Sequence, residues 1–332
     1  MSASQRFRGD FGFRPLVDGY TPRLEDMHPQ ATRFGLPLQG IWAYGALRDE
    51  EGNLYGLYRK LVGPLTSGLG LMTQRDGVLR VDPASVRAAR GTITRRIDPD
   101  VHVYEGQPMP GEQPFGLRVN DTSMGWSEGD IMTIEATLAG PGFQVYLPGR
   151  TESAFYASQL YRAEGTILGK PVRGFTLFDQ SYMPSGIDWR ESVIFEDLEH
   201  VWGAFAAEYE DGSLEWGHLA FGRKNFAFAV IANDEGPMLV TTDVGGGVDV
   251  EPDDWAARIL FHAGGQEWEW IADPDGRLGD FSASRRGYLA QTGWTRRVGE
   301  TRKPTRWFAW QETFPDRIRE DGVPAATAGA PA

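Results

Sequence analysis

The sequence predicts an all-β protein built of antiparallel barrels or sandwiches, and three observations carry this. Apolar and aromatic runs of strand length recur about fourteen to eighteen times, with turn residues roughly every eight to twelve positions. The composition, with 11 Trp, 18 Phe, 11 Tyr, 42 Gly and 21 Pro in 332 residues, favours strands and turns over helices. No stretch alternates a strand with a long amphipathic helix, which argues against a doubly wound α/β fold.

In chain order, residues 1–34 read as an irregular arm with Phe7, Phe11 and Phe13 at odd positions, laid across a barrel mouth or a sheet edge. Residues 35–62 hold a first hairpin: apolar 41–47, the acidic turn 48–53, then 54–58. Residues 69–81 and 91–105 read as strands. Between them Asp82 as N-cap, Pro83 in the first turn and Gly91 as stop predict a short helix. After a Pro/Gly loop at 106–114, strands are expected at 115–119, 130–138 and 142–147, and the aromatic pattern continues over 151–161. The mid-chain stretch 165–203 opens as a strand pair, 166–168 and 172–178, about a turn at 169–171. It then gives up regular pattern at 179–186, where Asp179, Gln180 and Tyr182 sit among Ser, Pro and Gly. A second hairpin covers 201–221. Further strands are expected at 226–231, 238–242, 256–262, 268–271, 287–298 and 306–311, while 253–258 is open between a helix start and a strand. Residues 317–332 end in a low-complexity tail expected to be disordered.

The two hairpins match. Trp42 and Gly52 are ten residues apart, as are Trp202 and Gly212, and the segments lie 160 residues apart. A shared offset indicates two copies of one architecture. The division expected is an arm at 1–34, β-domains at 35–164 and 165–316, and a tail at 317–332.

A formal net charge of −13 argues against a nucleic-acid partner, which needs a basic footprint. The absence of Cys removes disulfides, thiolate nucleophiles and Cys-based metal sites. The N-terminus lacks an apolar signal core, and no stretch has the roughly 18 apolar residues of a membrane span. A cytoplasmic protein with a neutral, apolar ligand fits these facts, and a homodimer is left open.

Gly125-Trp126-Ser127-Glu128-Gly129 matches the G-x-S-x-G pattern, but the residues after it read as a strand, so it is taken as a turn. Gly68-Leu69-Gly70 and 245–247 lack the spacing of phosphate loops. None of the five His has metal-motif spacing. His200 and His218 both belong to the second hairpin. Symmetric closure about 210–213 sets His218 opposite Phe205 and His200 opposite Arg223, about 16 Å apart along the ladder. Glu196, Asp197 and Glu199 read either as groups that orient His200 or raise its pKa, or, for at least two of them, as a solvated acidic strand end. Trp42, Tyr44, Trp126, Trp189, Trp202 and Trp216 suit either core packing or the wall of an apolar pocket.

The run Gly174-Phe175-Thr176-Leu177-Phe178-Asp179-Gln180-Ser181-Tyr182, with the repeated Trp–Gly signatures at 42–52 and 202–212, resembles the two-domain lipocalin-like superfamily. That superfamily includes carotenoid 1,2-hydratases, tocopherol cyclases and decalin-forming Diels–Alderases. The resemblance spans about residues 35–315 and is specific only in these patches. It implies two lipocalin-like (calycin-like) antiparallel β-barrel domains with one or two short helices, and an apolar ligand near their junction. The family's His falls on Gln180, its aromatic on Tyr182, and its Asp on Asp179. Tyr209 and Asp211 resemble its downstream Tyr-x-Asp. Gln does not exchange a proton as His does, so Tyr182 or His200 would supply the acid.

The expected function is therefore an enzyme acting on a hydrophobic terpenoid, steroid or polyketide-like molecule by acid–base or pericyclic chemistry, of hydratase/lyase or isomerase/cyclase type, with no cofactor and no metal. Tyr182 or His200 donates the proton, Asp179 orients, and Gln180 binds a substrate carbonyl. Trp42, Tyr44, Trp126, Trp202 and His218 complete the substrate site. The alternatives are a non-catalytic lipocalin-type carrier and a carbohydrate-active β-sandwich.

Overall fold

The computed structural model describes residues 14–149, 152–283 and 287–326; Phe7, Phe11 and Phe13 lie outside them. Two compact units emerge. One comprises residues 20–144 and 155–186, and the other is formed mainly by the chain from Ile187 onward.

In the first unit ten antiparallel strands close into a barrel. The ring runs Leu36–Asp49, Lys170–Tyr182, Ala154–Ile167, Met132–Leu138, Ser123–Glu128, Phe115–Val119, Val101–Gly106, Gly91–Asp98, Leu65–Thr66 and Leu54–Val62, and the last strand pairs back onto the first. The side-chain period of two sets what it buries. Met132, Ile134 and Ala136 face inward while Thr133, Glu135 and Thr137 are exposed. Ile41, Leu57, Tyr104, Trp126, Tyr161 and Phe178 share this core. Inside it lies a fully buried ion pair: Arg59 donates Nη2 and Nε to the Glu128 carboxylate at 2.6 and 2.7 Å. Arg59 Nη1 also donates to the Thr66 hydroxyl and the Ala89 carbonyl, and Trp126 Nε1 donates to Glu128 at 2.7 Å. Such a pair tolerates burial only when its polar atoms are satisfied in this way. The G-x-S-x-G stretch is thus mostly strand (Ser123–Glu128), with a turn at Gly129.

The strand pairing departs from the sequence reading in several places. The expected boundary at 164/165 falls inside the hairpin of Ala154–Ile167 and Lys170–Tyr182. Its turn is Leu168-Gly169, both at positive φ, as the type I′ two-residue hairpin turn requires, so Lys170 and Pro171 already belong to the strand. Residues 179–182, read as loop, continue that strand. Gln180 pairs with Ala157 on one side and Ile41 on the other. A polar run reads as loop in one dimension, but flanking strands on both sides satisfy its backbone. The described part of the arm, from residue 14, is more regular than expected: Leu24–Met27 forms a 3₁₀ turn, and Met27 is buried in the barrel core.

The second unit is a nearly closed nine-stranded barrel. The order is Gly236–Thr241, Ala227–Asn233, Leu214–Gly222, Glu199–Tyr209, Pro304–Thr313, Leu289–Arg297, Gln266–Arg277, Ala256–Ala263 and Val244–Val250. Phe205, Leu219, Ile231, Phe261, Trp268 and Trp270 form its core. Helical pieces are short. The Asp82-capped one is a 3₁₀ turn, Pro83–Arg87, with Asp82 accepting from Ala84 N at 2.9 Å. Residues 253–258 lead into a strand. The tail is ordered at least to Ala326: Pro315–Glu320 is helical, and Val248 N–H donates to the Pro324 carbonyl at 2.8 Å. That backbone bond and the burial of Ala326 order a segment whose composition alone signals disorder.

The two hairpins share one register. Ile41 pairs with Leu61 and Val201 with Phe221; Trp42 pairs with Lys60 and Trp202 with Ala220; Arg48 pairs with Leu54 and Glu208 with Leu214. Adding 160 converts each pair into its counterpart. Both turns hold a left-handed Gly, Gly52 at φ +85° and Gly212 at +80°. The loop is therefore three residues plus a bulge, not four, and the ladder slips by one. His218 faces Ala204 instead of Phe205, and a bulge between Glu199 and Val201 removes the expected His200–Arg223 pairing.

Candidate active site

Strand alternation divides the polar run of Lys170–Tyr182. Phe178 points into the barrel core, and Gln180 and Tyr182 follow it at the same parity. Gln180 Nε2 donates to the Tyr182 hydroxyl at 3.1 Å. On the opposite face Ser181 donates to Gln39 at 2.9 Å, and the Asp179 carboxylate accepts from the Tyr156 hydroxyl. Asp179 is thus engaged away from Tyr182, and the side chain that hydrogen-bonds the phenol from its own strand is Gln180.

Tyr182 borders a cavity of about 120 Å³ in the first unit. Phe34, Phe155 and Ala157 give it apolar walls, and Tyr20, Gln144 and the Arg33–Asp26 pair give it polar ones. Arg33 Nη2 lies 2.5 Å from Asp26 Oδ1. The ring of Phe155 packs 5.6 Å from Tyr182 and 5.2 Å from Phe34. Phe34 sits at φ +51°, a strained backbone for an aromatic residue, in the turn between Thr32–Arg33 and the next strand. Burial pushes the Tyr182 phenol up to about 12, against the pull of Arg33, which also hydrogen-bonds it. The phenol is therefore protonated at neutral pH. Its oxygen receives Gln180 and Arg33, while among the described residues its own proton is spent only on a long 3.4 Å contact to the Asp26 carbonyl. Tyr20, Asp26, Arg33 and Phe155 were not singled out from sequence. The first three come from the stretch read as an irregular arm, where nothing but its Tyr and charges marks them.

The remaining candidates lie elsewhere. Trp126 is a core residue committed to Glu128 and does not line the cavity. Trp42 and Tyr44 alternate with the core residues Ile41 and Ala43, so they point to the other face of their strand. There Trp42 packs near Tyr156, with the Lys60 ammonium over its ring at 5.1 Å. In the second unit Trp202 packs among Trp189, Phe226 and Phe228. His200 Nε2 lies 2.6 Å from Asp321, whose carboxyl Arg223 and then His200 hold down at about 2. His200 itself is shifted down, chiefly by burial. The arrangement ties the strand start to the end of the Pro315–Glu320 helix. Burial depresses His218 to about 3, so its ring is neutral. Glu199, read as a partner for His200 or as part of a solvated acidic strand end, is fully buried, and among the described residues neither carboxylate oxygen has a hydrogen-bond partner. Burial, reinforced by Glu312 and opposed by Arg317, raises its pKa well above the usual range. Among the described residues no group of three or more His, Asp or Glu is placed to hold a metal ion, and no helix is long and apolar enough to cross a membrane.

No family model and no curated protein matches the chain. Among solved structures it is similar to a candidate AttH from Nitrosomonas europaea, at 14% identity and a TM-score of 0.47, covering 86% of this chain and 96% of that one. It is also similar to kievitone hydratase from Nectria haematococca, at 10% identity and a TM-score of 0.47, covering 92% and 98%.

Proposed function

We propose that the protein is an enzyme that acts on a hydrophobic small molecule by acid–base chemistry at the cavity beside Tyr182. The reaction is of the hydratase/lyase or isomerase/cyclase class and uses no cofactor. The observation that carries this reading is the state of Tyr182: a buried, neutral phenol, bordering a cavity with both apolar and polar walls, with two donors on its oxygen and a nearly unused proton. Such a group gives up its proton to a substrate, and the phenolate left behind is held by Gln180 and Arg33. The low-dielectric surroundings strengthen both contacts. A carbohydrate hydrolase would need a pair of carboxylates, and among the described residues Asp26 is the one carboxylate lining the cavity.

The test begins with mass spectrometry of small molecules that co-purify with the protein. Turnover of the molecule so found, or of its close analogues, is then compared between the parent and Tyr182→Phe. Conversion by the parent and its loss in the variant is the expected result. A ligand that binds and is never converted identifies a carrier instead.

A further inference from the structure

The cavity holds a second phenol in the same setting as the first. Gln159 Nε2 donates to the Tyr20 hydroxyl, as Gln180 Nε2 donates to that of Tyr182. Both tyrosines line the cavity. In each pair the glutamine occupies the phenol oxygen as acceptor, so the phenol's own hydrogen must be directed elsewhere. Among the described residues the Tyr20 hydrogen meets no acceptor, and that of Tyr182 has only the 3.4 Å contact to Asp26. Two donors with unused hydrogens therefore border one space. The cavity is about 120 Å³, close to the ~150 Å³ that accommodates a benzene ring in an engineered protein core. Its other walls include Phe34, Phe155 and Ala157, which suit a flat, apolar body.

We infer that Tyr20 and Tyr182 together bind one acceptor oxygen, and that the ligand end entering the cavity is a ring-sized conjugated carbonyl compound held through that oxygen as its enol or enolate. A ketone oxygen accepts two hydrogen bonds, and both strengthen as negative charge gathers on it. Arg33 lines the same cavity but is paired with Asp26, so the two hydroxyls are the groups that meet the added charge. A plain hydrocarbon would leave both hydroxyls unpaired, at a cost that disfavours it. This assignment deepens the proposed function, naming the chemical class that the same site takes.

The test uses 4-nitrophenol, whose phenolate mimics a ring-bound enolate and is followed by its visible absorbance, with nitrobenzene as the matched compound lacking the oxygen. The parent should bind 4-nitrophenolate in preference to nitrobenzene. Tyr20→Phe and Tyr182→Phe should each weaken phenolate binding by about ten- to a hundredfold, as loss of a hydrogen bond to a charged group does. Nitrobenzene affinity should stay unchanged, which also reports an intact cavity. Should Tyr20→Phe not fold, Gln159→Leu replaces it: removing the donor to the phenol oxygen weakens the phenol as a donor, so phenolate affinity falls in the same direction. Absence of phenolate binding by the parent, or phenolate affinity indifferent to Tyr20, overturns the assignment. Loss of turnover in Tyr182→Phe with phenolate affinity indifferent to Tyr20 leaves the enzyme reading standing without it. Phenolate binding that needs both phenols, with no turnover of any conjugated ketone, leaves the binding assignment and removes the enzyme.

Discussion

Gln180 and Tyr182 share one face of a strand, and the amide of the first donates to the phenol of the second across 3.1 Å. The contact is possible because residues two apart on a strand point the same way. It makes the phenol oxygen an acceptor and leaves its hydrogen for something else.

Tyr182→Phe tests that hydrogen alone. The ring keeps its packing against Phe155, so the melting temperature should change little. Turnover should fall by about 10²–10⁴-fold, the usual contribution of a general acid or base. Parental turnover in this variant would move the chemistry away from the cavity.

Gln180 does not line the cavity, so its effect passes through Tyr182. Gln180→Leu removes a donor that stabilises the phenolate. The tyrosine should then titrate at still higher pH, read by ultraviolet absorbance. Turnover should drop about three- to tenfold with little change in KM, in line with one neutral hydrogen bond. A rise in KM alone would instead make Gln180 a direct substrate contact, as its place in the sequence first suggested.

The Arg59–Glu128 pair shows what the barrel core demands. Arg59→Met strands a buried carboxylate and should cost about 3–5 kcal/mol by urea denaturation. Replacing both, with Arg59→Met and Glu128→Leu, should recover much of that loss even though Trp126 loses its acceptor. A single variant as stable as the parent would show that the pair is not desolvated.

How much of this was legible follows from the range of the interactions. The hairpin turns were readable because Gly52 and Gly212 mark them locally, and the repeat was readable because both copies keep one spacing. The one-residue slip at His218 was not, because a bulged three-residue loop and a four-residue loop differ in backbone angles rather than in residue types. The polar run at 179–182 misled for a different reason. Its place in a strand depends on Ala157 and Ile41, distant in sequence, although the alternation Phe178, Gln180, Tyr182 was there to be followed. Tyr20 and Arg33 carried no periodic signal at all, and only the closed barrel gives them a cavity to line.

Two buried groups give the second unit opposite responses to pH. His218 is depressed to about 3 from an ordinary 6.5, so between those values the unfolded chain binds the extra proton. Stability should therefore rise with pH through that window and be lost on acidification, with a slope of at most about 1.4 kcal/mol per pH unit. Glu199 is shifted upward, so above the ordinary glutamate range the folded chain holds the extra proton. Its contribution is present in acid and is lost as pH rises through its raised value. His218→Asn should flatten the acid limb, and Glu199→Gln should stabilise the protein at alkaline pH while changing little in acid. Denaturation midpoints across pH measure both, and an alkaline limb identical in parent and Glu199→Gln would mean that Glu199 is solvated and ionised.

Phe34 sets stability against binding at one position. Its backbone is left-handed at φ +51°, which costs an L-residue with a bulky side chain roughly 1–2 kcal/mol. Its ring is 71% exposed, so burial returns little of that cost. What the ring does is stand at the cavity beside Phe155. Phe34→Gly removes the strain and with it the ring contact. Glycine also enlarges the freedom of the unfolded chain, which offsets part of the relief. The variant should come out no less stable than the parent by denaturation, and up to about 1 kcal/mol more stable. Ligand affinity should move the other way, falling about three- to tenfold as an apolar wall is lost. A variant that is clearly destabilised would make the Phe34 ring a structural element, and one that binds as well as the parent would remove it from the site.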